Sequence, residues 1–209
     1  MTAARSGLLR SGAALRALRH GSLLHSGLMR CVLGAGLLGL LAGDAVPVGA
    51  DAGGGRAAAA WSETVWPFPL DEWGTGRAFR CAATHCGGEI VVYLRAKVGF
   101  CNCSSGVSDD EDLDRVGDLE LFSDRFVGIA EGRPIDVGPL KGRSRLYRVS
   151  PPRAPARDVL AIGFNDKCDV AVATVVAAGE QLPSAERAAL DFLNTPPVLR
   201  WASAELGAQ

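Results

Sequence analysis

From residue 88 onward the chain alternates short apolar stretches with polar breaks. In GEIVVYLRAKV, residues 88–98, Ile90, Val92 and Leu94 fall on one side of an extended chain, and Val91, Tyr93 and Arg95 on the other. That period of two predicts a strand. Further strands are expected at 119–129, 144–149, 158–164 and 168–177. The last two are separated by Asn165, Asp166 and Lys167, a three-residue turn that makes them a hairpin. Their nearly unbroken apolar runs, VLAIGF and VAVATVVAA, predict strands covered on both faces.

The period then lengthens. In LPSAERAALDFLN, Ser184 is placed to cap a helix, Glu186 lies in its positive first turn, and Ala188, Leu190, Phe192 and Leu193 supply an apolar side. Thr195 and Pro196 open a second short helix that carries Val198, Leu199, Trp201 and Leu206. Strands first and helices last predict an α+β fold, an antiparallel β-sheet of about five to six strands with C-terminal helices packed on it.

Two segments break the pattern. WPFPLDEWGTG, residues 66–76, sets prolines and glycines among large aromatics and is expected to be irregular, laying Trp66, Phe68 and Trp73 onto the core; an aromatic ligand platform is the functional alternative. GFCNCSSGVSDDEDLDRV, residues 99–116, runs from two cysteines into acid. Ser108 and Glu111 have the spacing of a capping box, Asp109 and Asp110 lie at the positive end of the helix, and Leu113 and Val116 would face inward. A calcium loop through Asp110, Asp112 and Asp114 fails at its sixth position, Arg115 in place of glycine, and at its twelfth, Leu121 in place of a bidentate glutamate.

The first 43 residues are of another kind. Arg5, Arg10, Arg16, Arg19 and Arg30 occur without any acidic residue, and CVLGAGLLGLLAG, residues 31–43, follows. A basic segment, a short apolar stretch and then small residues make a signal peptide or N-terminal targeting segment, with cleavage expected after Ala50 or Ala52 and translation starting at Met1 or Met29. An organelle transit peptide and a retained membrane anchor through residues 31–43 are the alternatives. Gly34, Gly36 and Gly39 imitate a dinucleotide-binding turn, but the basic leader precedes them, and Asp44 and Pro47 cut short the helix such a turn needs. The expected organisation is therefore a leader over 1–52, a flexible linker over 53–60 and one domain over 61–209, in a periplasmic or secreted protein. Losing residues 1–52 removes five arginines and two aspartates, which takes the net charge from −1 to −4. That balance speaks against nucleic acid as a partner, and membrane contact is expected only through an uncleaved leader.

Cys81, Cys86, Cys101, Cys103 and Cys168 remain, an odd number, while Cys31 leaves with the leader. In an oxidising compartment such cysteines are first of all disulfide candidates. Residues i and i+2 of a strand lie near the limit of disulfide reach, so Cys101 and Cys103 each seek another partner. Two bridges among Cys81, Cys86, Cys101 and Cys103 are the expected arrangement, with connectivity open. The alternative is a soft-metal site for copper or zinc, or a redox centre, on the same four cysteines with His85 or Cys168 assisting.

Lys141, Arg143, Arg145, Arg148, Arg153 and Arg157 make a basic stretch in which Arg143, Arg145 and Arg148 could form an anion patch, unless the helix of Asp109 to Asp118 absorbs their charge. After residue 52 the chain has a single histidine, His85, and it lacks the nucleophile-elbow, metalloprotease and phosphate-loop motifs. The expected function is that of an exported binding or accessory module for an unidentified protein or small molecule, without resident cofactor. The alternative is a thiol-based metal or redox protein.

Overall fold

The computed structural model describes residues 60–99 and 101–207. The leader, its apolar stretch at 31–43, both candidate starts, the cleavage positions, Cys31 and linker residues 53–59 lie outside them.

Among the described residues eight strands form one antiparallel sheet. They are β1 (Trp61–Thr64), β2 (Arg77–Cys81), β3 (Ile90–Lys97), β4 (Phe126–Gly128), β5 (Arg133–Val137), β6 (Leu140–Val149), β7 (Arg157–Asp166) and β8 (Asp169–Val176). The order is β1-β2-β3-β8-β7-β6-β4, and β5 shares the outer side of β6 with β4. Helices α1 (Ala83–Cys86), α2 (Asp110–Val116), α3 (Leu182–Leu193) and α4 (Pro196–Leu206) complete the described residues, with 3-10 turns at Leu119–Leu121 and Gly179–Gln181.

The α+β class and the antiparallel sheet are as expected, and the sheet is larger than five to six strands. The strands that the pattern misses, WSET, RAFRC and RPIDV, lie toward the sheet margins, where charged residues and a proline are tolerated and weaken the alternation. Residues 119–129 are not one strand. Leu119 and Phe122, spaced three apart, turn helically onto the same core cluster, and only Phe126–Gly128 pairs with β6. The hairpin between β7 and β8 is tighter than a three-residue turn. Asp166 pairs with Asp169, leaving Lys167, at φ 52, and Cys168 as the loop.

Both faces of β7 and β8 are covered, as their apolar runs predict. One face packs Ile90, Val92, Leu94, Ile162 and Phe164 against Phe192 and Leu193 of α3 and Val198 and Ala202 of α4. The other packs Tyr147, Val149, Val159, Val170 and Val172 against Leu113 and Val116 of α2 and against Leu119. The domain is thus three layers deep, since α2 covers the face that the C-terminal helices leave open.

Helix starts differ from expectation by small shifts. Asp109, not Ser108, caps α2, its carboxylate accepting from the Asp112 amide at 2.8 Å. Asp112, rather than Glu111, reaches back and accepts from the Ser108 amide at 3.2 Å. This frame keeps Leu113 and Val116 inward and leaves Glu111 in solvent. Helix α3 begins at Leu182 with Pro183 in its first turn, and the Ser184 hydroxyl donates to the Gln181 carbonyl at 2.8 Å instead of capping.

Candidate functional site

On β3, Ile90, Val92 and Leu94 face the C-terminal helices, so the pleat sends Arg95 and Lys97 into the opposite layer. Both are buried, at 4% and 5% exposure. A buried cation is costly unless it is paired and hydrogen-bonded. Asp118, itself 3% exposed, takes the Arg95 Nε and Nη2 protons at 2.6 and 2.7 Å and stands 2.8 Å from Lys97 Nζ. Lys97 also donates to the Val116 carbonyl at 2.8 Å, at the end of α2. Arg95 Nη1 turns outward to both oxygens of Asp71, at 2.7 and 2.8 Å. Burial alone would lower the Arg95 pKa, and the two carboxylates outweigh it and hold the guanidinium charged. The same hydrogen bonds from Arg95 hold the Asp71 carboxyl below its ordinary value.

Asp71 belongs to the irregular segment 65–76, which Arg95 therefore fastens to the sheet. Phe68 meets Tyr93 edge-on at 5.0 Å and Phe122 at 5.1 Å, and Trp66 meets Phe68 at 5.2 Å. The Trp66 ring presses on Gly76, where a Cβ would stand 2.5 Å from it, so the close approach requires glycine. The expected burial of Trp66, Phe68 and Trp73 takes this form, each being half-buried. Beneath the segment, Trp66 Nε1 and Thr174 Oγ1 are buried side-chain atoms without a hydrogen-bond partner. Thr174 is the register partner of Tyr93, so both orphans border the same aromatic cluster.

Where the segment meets the 117–121 corner, a pocket of about 350 Å³ opens over these ions. Its floor is Arg95, Lys97 and Asp118, its wall Trp73, and its rim Asp71, Glu72 and Glu120. Lys97 Nζ lies 5.6 Å from the centroid of the Trp73 ring. Four carboxylates therefore surround two cations that are already engaged. The sequence reading singled out Trp73 but missed Arg95, Lys97 and Asp118. The available signal was the alternation itself, which continues from Tyr93 through Arg95 to Lys97 on one face of a central strand.

The cysteines separate into two places. Cys81 bridges Cys86 across α1, and Cys103 bridges Cys168. Cys101 is a free, buried thiol. One expected bridge therefore stays within the set of four, and the other leaves it, because the tight turn of the β7–β8 hairpin carries Cys168 to the 101–107 loop. With Cys81, Cys86, Cys103 and Cys168 oxidised, thiolates for copper or zinc are not gathered there, and among the described residues no group of three His, Cys, Asp or Glu is placed to hold a metal. His85 is exposed and shares a hydrogen bond with Thr84 at 3.1 Å.

Arg143, Arg145 and Arg148 do not make one patch. Arg143 pairs with Asp110, whose carboxylate also accepts from the Gly132 amide at 3.1 Å. Arg145 pairs with Asp114 at 2.9 Å, and the buried Tyr147 hydroxyl donates to the same carboxylate. Helix α2, through Asp110 and Asp114, thus takes up the charge of Arg143 and Arg145. Arg148 has the opposite parity on β6 and pairs with Asp158 of β7 at 2.7 Å. Burial would raise the Asp110 pKa, and Arg143 and the Gly132 amide more than reverse it.

Two disulfides mark a chain that folds in an oxidising compartment. Among the described residues no helix is long and apolar enough to cross a membrane. No protein-family model matches the chain, and no curated protein matches it. Among solved structures it is similar to CalU16 from Micromonospora echinospora, at 13% identity and a TM-score of 0.23, over 71% of this chain and 95% of that one.

Proposed function

We propose that the protein is an exported, periplasmic or secreted, binding module whose site is the pocket beside Trp73, and that the group it takes is a small organic cation, an ammonium or guanidinium. The observation that carries this reading is the saturation of the two basic groups on the floor. Arg95 spends its donors on Asp118 and Asp71, and Lys97 donates to Val116 and faces Asp118, so an incoming anion finds few donors. A cation finds the rim carboxylates of Glu72 and Glu120 beside the Trp73 indole, over which Lys97 Nζ already lies 5.6 Å from the ring centroid. Aromatic faces beside carboxylates attract ammonium groups by about 0.5–2 kcal/mol per ring, more as water is excluded.

Binding without catalysis is favoured because the one histidine of the described residues is exposed and engaged with Thr84, in the connection at the Ile90 end of β3, whereas Arg95 and Lys97 lie toward the other end of that strand. Calorimetric titration with tetramethylammonium, butylamine and arginine amide, against butyrate and phosphate, tests the reading. Saturable binding of the cations that weakens with salt, is lost in Trp73→Leu and falls in Glu120→Gln supports it. Equal heats for Trp73→Leu and wild type, or preferential binding of the anions, rejects it.

A further inference from the structure

The odd cysteine stands beside a disulfide. The Cys101 amide donates to the Cys168 carbonyl at 3.0 Å, and its Sγ to the Lys167 carbonyl at 3.2 Å. Cys168 is bridged to Cys103, two residues beyond Cys101. Three sulfurs therefore belong to one turn and one short loop. Their surroundings differ, for Cys101 is buried at 9% exposure, Cys168 is half-buried and Cys103 is exposed. The loop between them is built from a bridge of Asn102 with Gly106 and from the Asn102 side chain, which accepts from the Ser104 amide at 3.0 Å.

We propose that Cys101, Cys103 and Cys168 form an internal thiol–disulfide exchange centre, in which Cys101 displaces Cys103 from Cys168 and so delivers a thiol to the surface. The Cys101 thiolate, having given its proton to solvent, attacks Cys168 Sγ. The Cys101–Cys168 bond forms as the Cys103–Cys168 bond breaks, and Cys103 leaves as a thiolate that takes a proton back. One disulfide and one thiol exist before and after, so no oxidant or reductant is consumed. The exchange trades a buried thiol for one that can be modified or can attack a disulfide of a second molecule. Burial and the carboxylates of Asp169 on β8 and Asp112 on α2 hold the Cys101 thiol above its ordinary pKa, with Arg115 of α2 opposing them. The resting state is therefore the protonated one, and the exchange rate rises about tenfold per pH unit below the ionisation of Cys101.

The test uses the intact, oxidised protein, held under native conditions between pH 6 and 9, quenched in acid, alkylated with a small reagent and mapped by fragmentation across Asn102. The expected result is label on Cys103 that grows with pH, accompanied by a Cys101–Cys168 bridge, while Cys81–Cys86 stays intact. Cys103→Ser should fold with Cys101 bonded to Cys168. Label confined to Cys101 at every pH overturns the proposal, as do Cys101 and Cys168 both alkylating in folded Cys103→Ser. Label on Cys81 or Cys86 also overturns it, since that pattern belongs to scrambling through global unfolding.

Discussion

Asp118→Asn is the most exacting test of the buried ion cluster. The substitution keeps size and shape but removes the charge that faces Arg95 Nε and Nη2 at 2.6 and 2.7 Å and Lys97 Nζ at 2.8 Å. Two cations at 4% and 5% exposure then lose the carboxylate they share, Arg95 keeping Asp71 on Nη1 and Lys97 keeping the Val116 carbonyl. Stranding a buried charge costs about 3–5 kcal/mol, whereas the intact pair contributes far less against an apolar replacement. For a domain of this size each kcal/mol moves Tm by about 2–4 °C, so Asp118→Asn should melt roughly 6–20 °C lower. Asp71→Asn makes the internal comparison. Its side chain is 35% exposed, water replaces much of what is lost, and about 1 kcal/mol is expected. Urea and thermal unfolding followed by circular dichroism measure both. The triple change Arg95→Met, Lys97→Met and Asp118→Leu should recover most of the Asp118→Asn loss. An Asp118→Asn protein no less stable than Asp71→Asn would refute the argument that the cluster is held by a desolvated carboxylate.

Further outcomes follow from the staples and the titrating groups. In the chain-entropy model, Cys81–Cys86, with a separation of 5 residues, contributes about 2 kcal/mol, and Cys103–Cys168, with a separation of 65, about 4 kcal/mol. Cys168→Ser should therefore lower the urea midpoint more than Cys86→Ser, and equal losses would discount the loop argument. Burial, then the Asp114 hydrogen bond, raises the Tyr147 pKa, and burial raises that of Tyr93. Stability from both is intact below the unfolded tyrosine value, about 10, and is lost as pH rises beyond it. Absorbance at about 295 nm should show neither tyrosine ionising with an ordinary midpoint before the fold opens, and a free titration near pH 10 would contradict their burial. The lowered carboxyls of Asp71, Asp110 and Asp112 act at the other end. Their stabilisation is complete above the unfolded value, about 3.9, and falls as pH drops through their folded values, so urea midpoints should decline below about pH 4. A flat profile to pH 2 would count against these ion pairs.

The strands that pack on two faces were legible because β7 and β8 carry apolar residues at nearly every position, and no partner is needed to read that. The C-terminal helices were legible from their own apolar positions, spaced three to four apart. What was hidden depended on partners distant in sequence. WSET and RPIDV are strands only because β2 and β6 offer their free sides, and their own composition is that of loops. Cys103 finds Cys168 because the 101–107 loop folds against the β7–β8 turn, a contact across 65 residues, whereas nearness in sequence groups Cys103 with Cys81, Cys86 and Cys101.

The ion cluster shows the limit most clearly. Arg95 sits on the predicted strand, on the face opposite Ile90, Val92 and Leu94, and a two-layer α+β fold would leave that face to solvent. It became interior because α2 and Leu119 cover it, which turns an ordinary surface arginine into a group that must find carboxylates. The segment 65–76 then supplies one of them. Its position over the sheet is held by Asp71 as well as by its aromatics, so the wall of the proposed site and the compensation of a buried charge are the same contact. A ligand that drew Asp71 away from Arg95 would loosen the segment, and one that left the pair intact would not. On the proposed function, the ligands expected are therefore cations that add to the carboxylate rim instead of competing with Arg95 for Asp71.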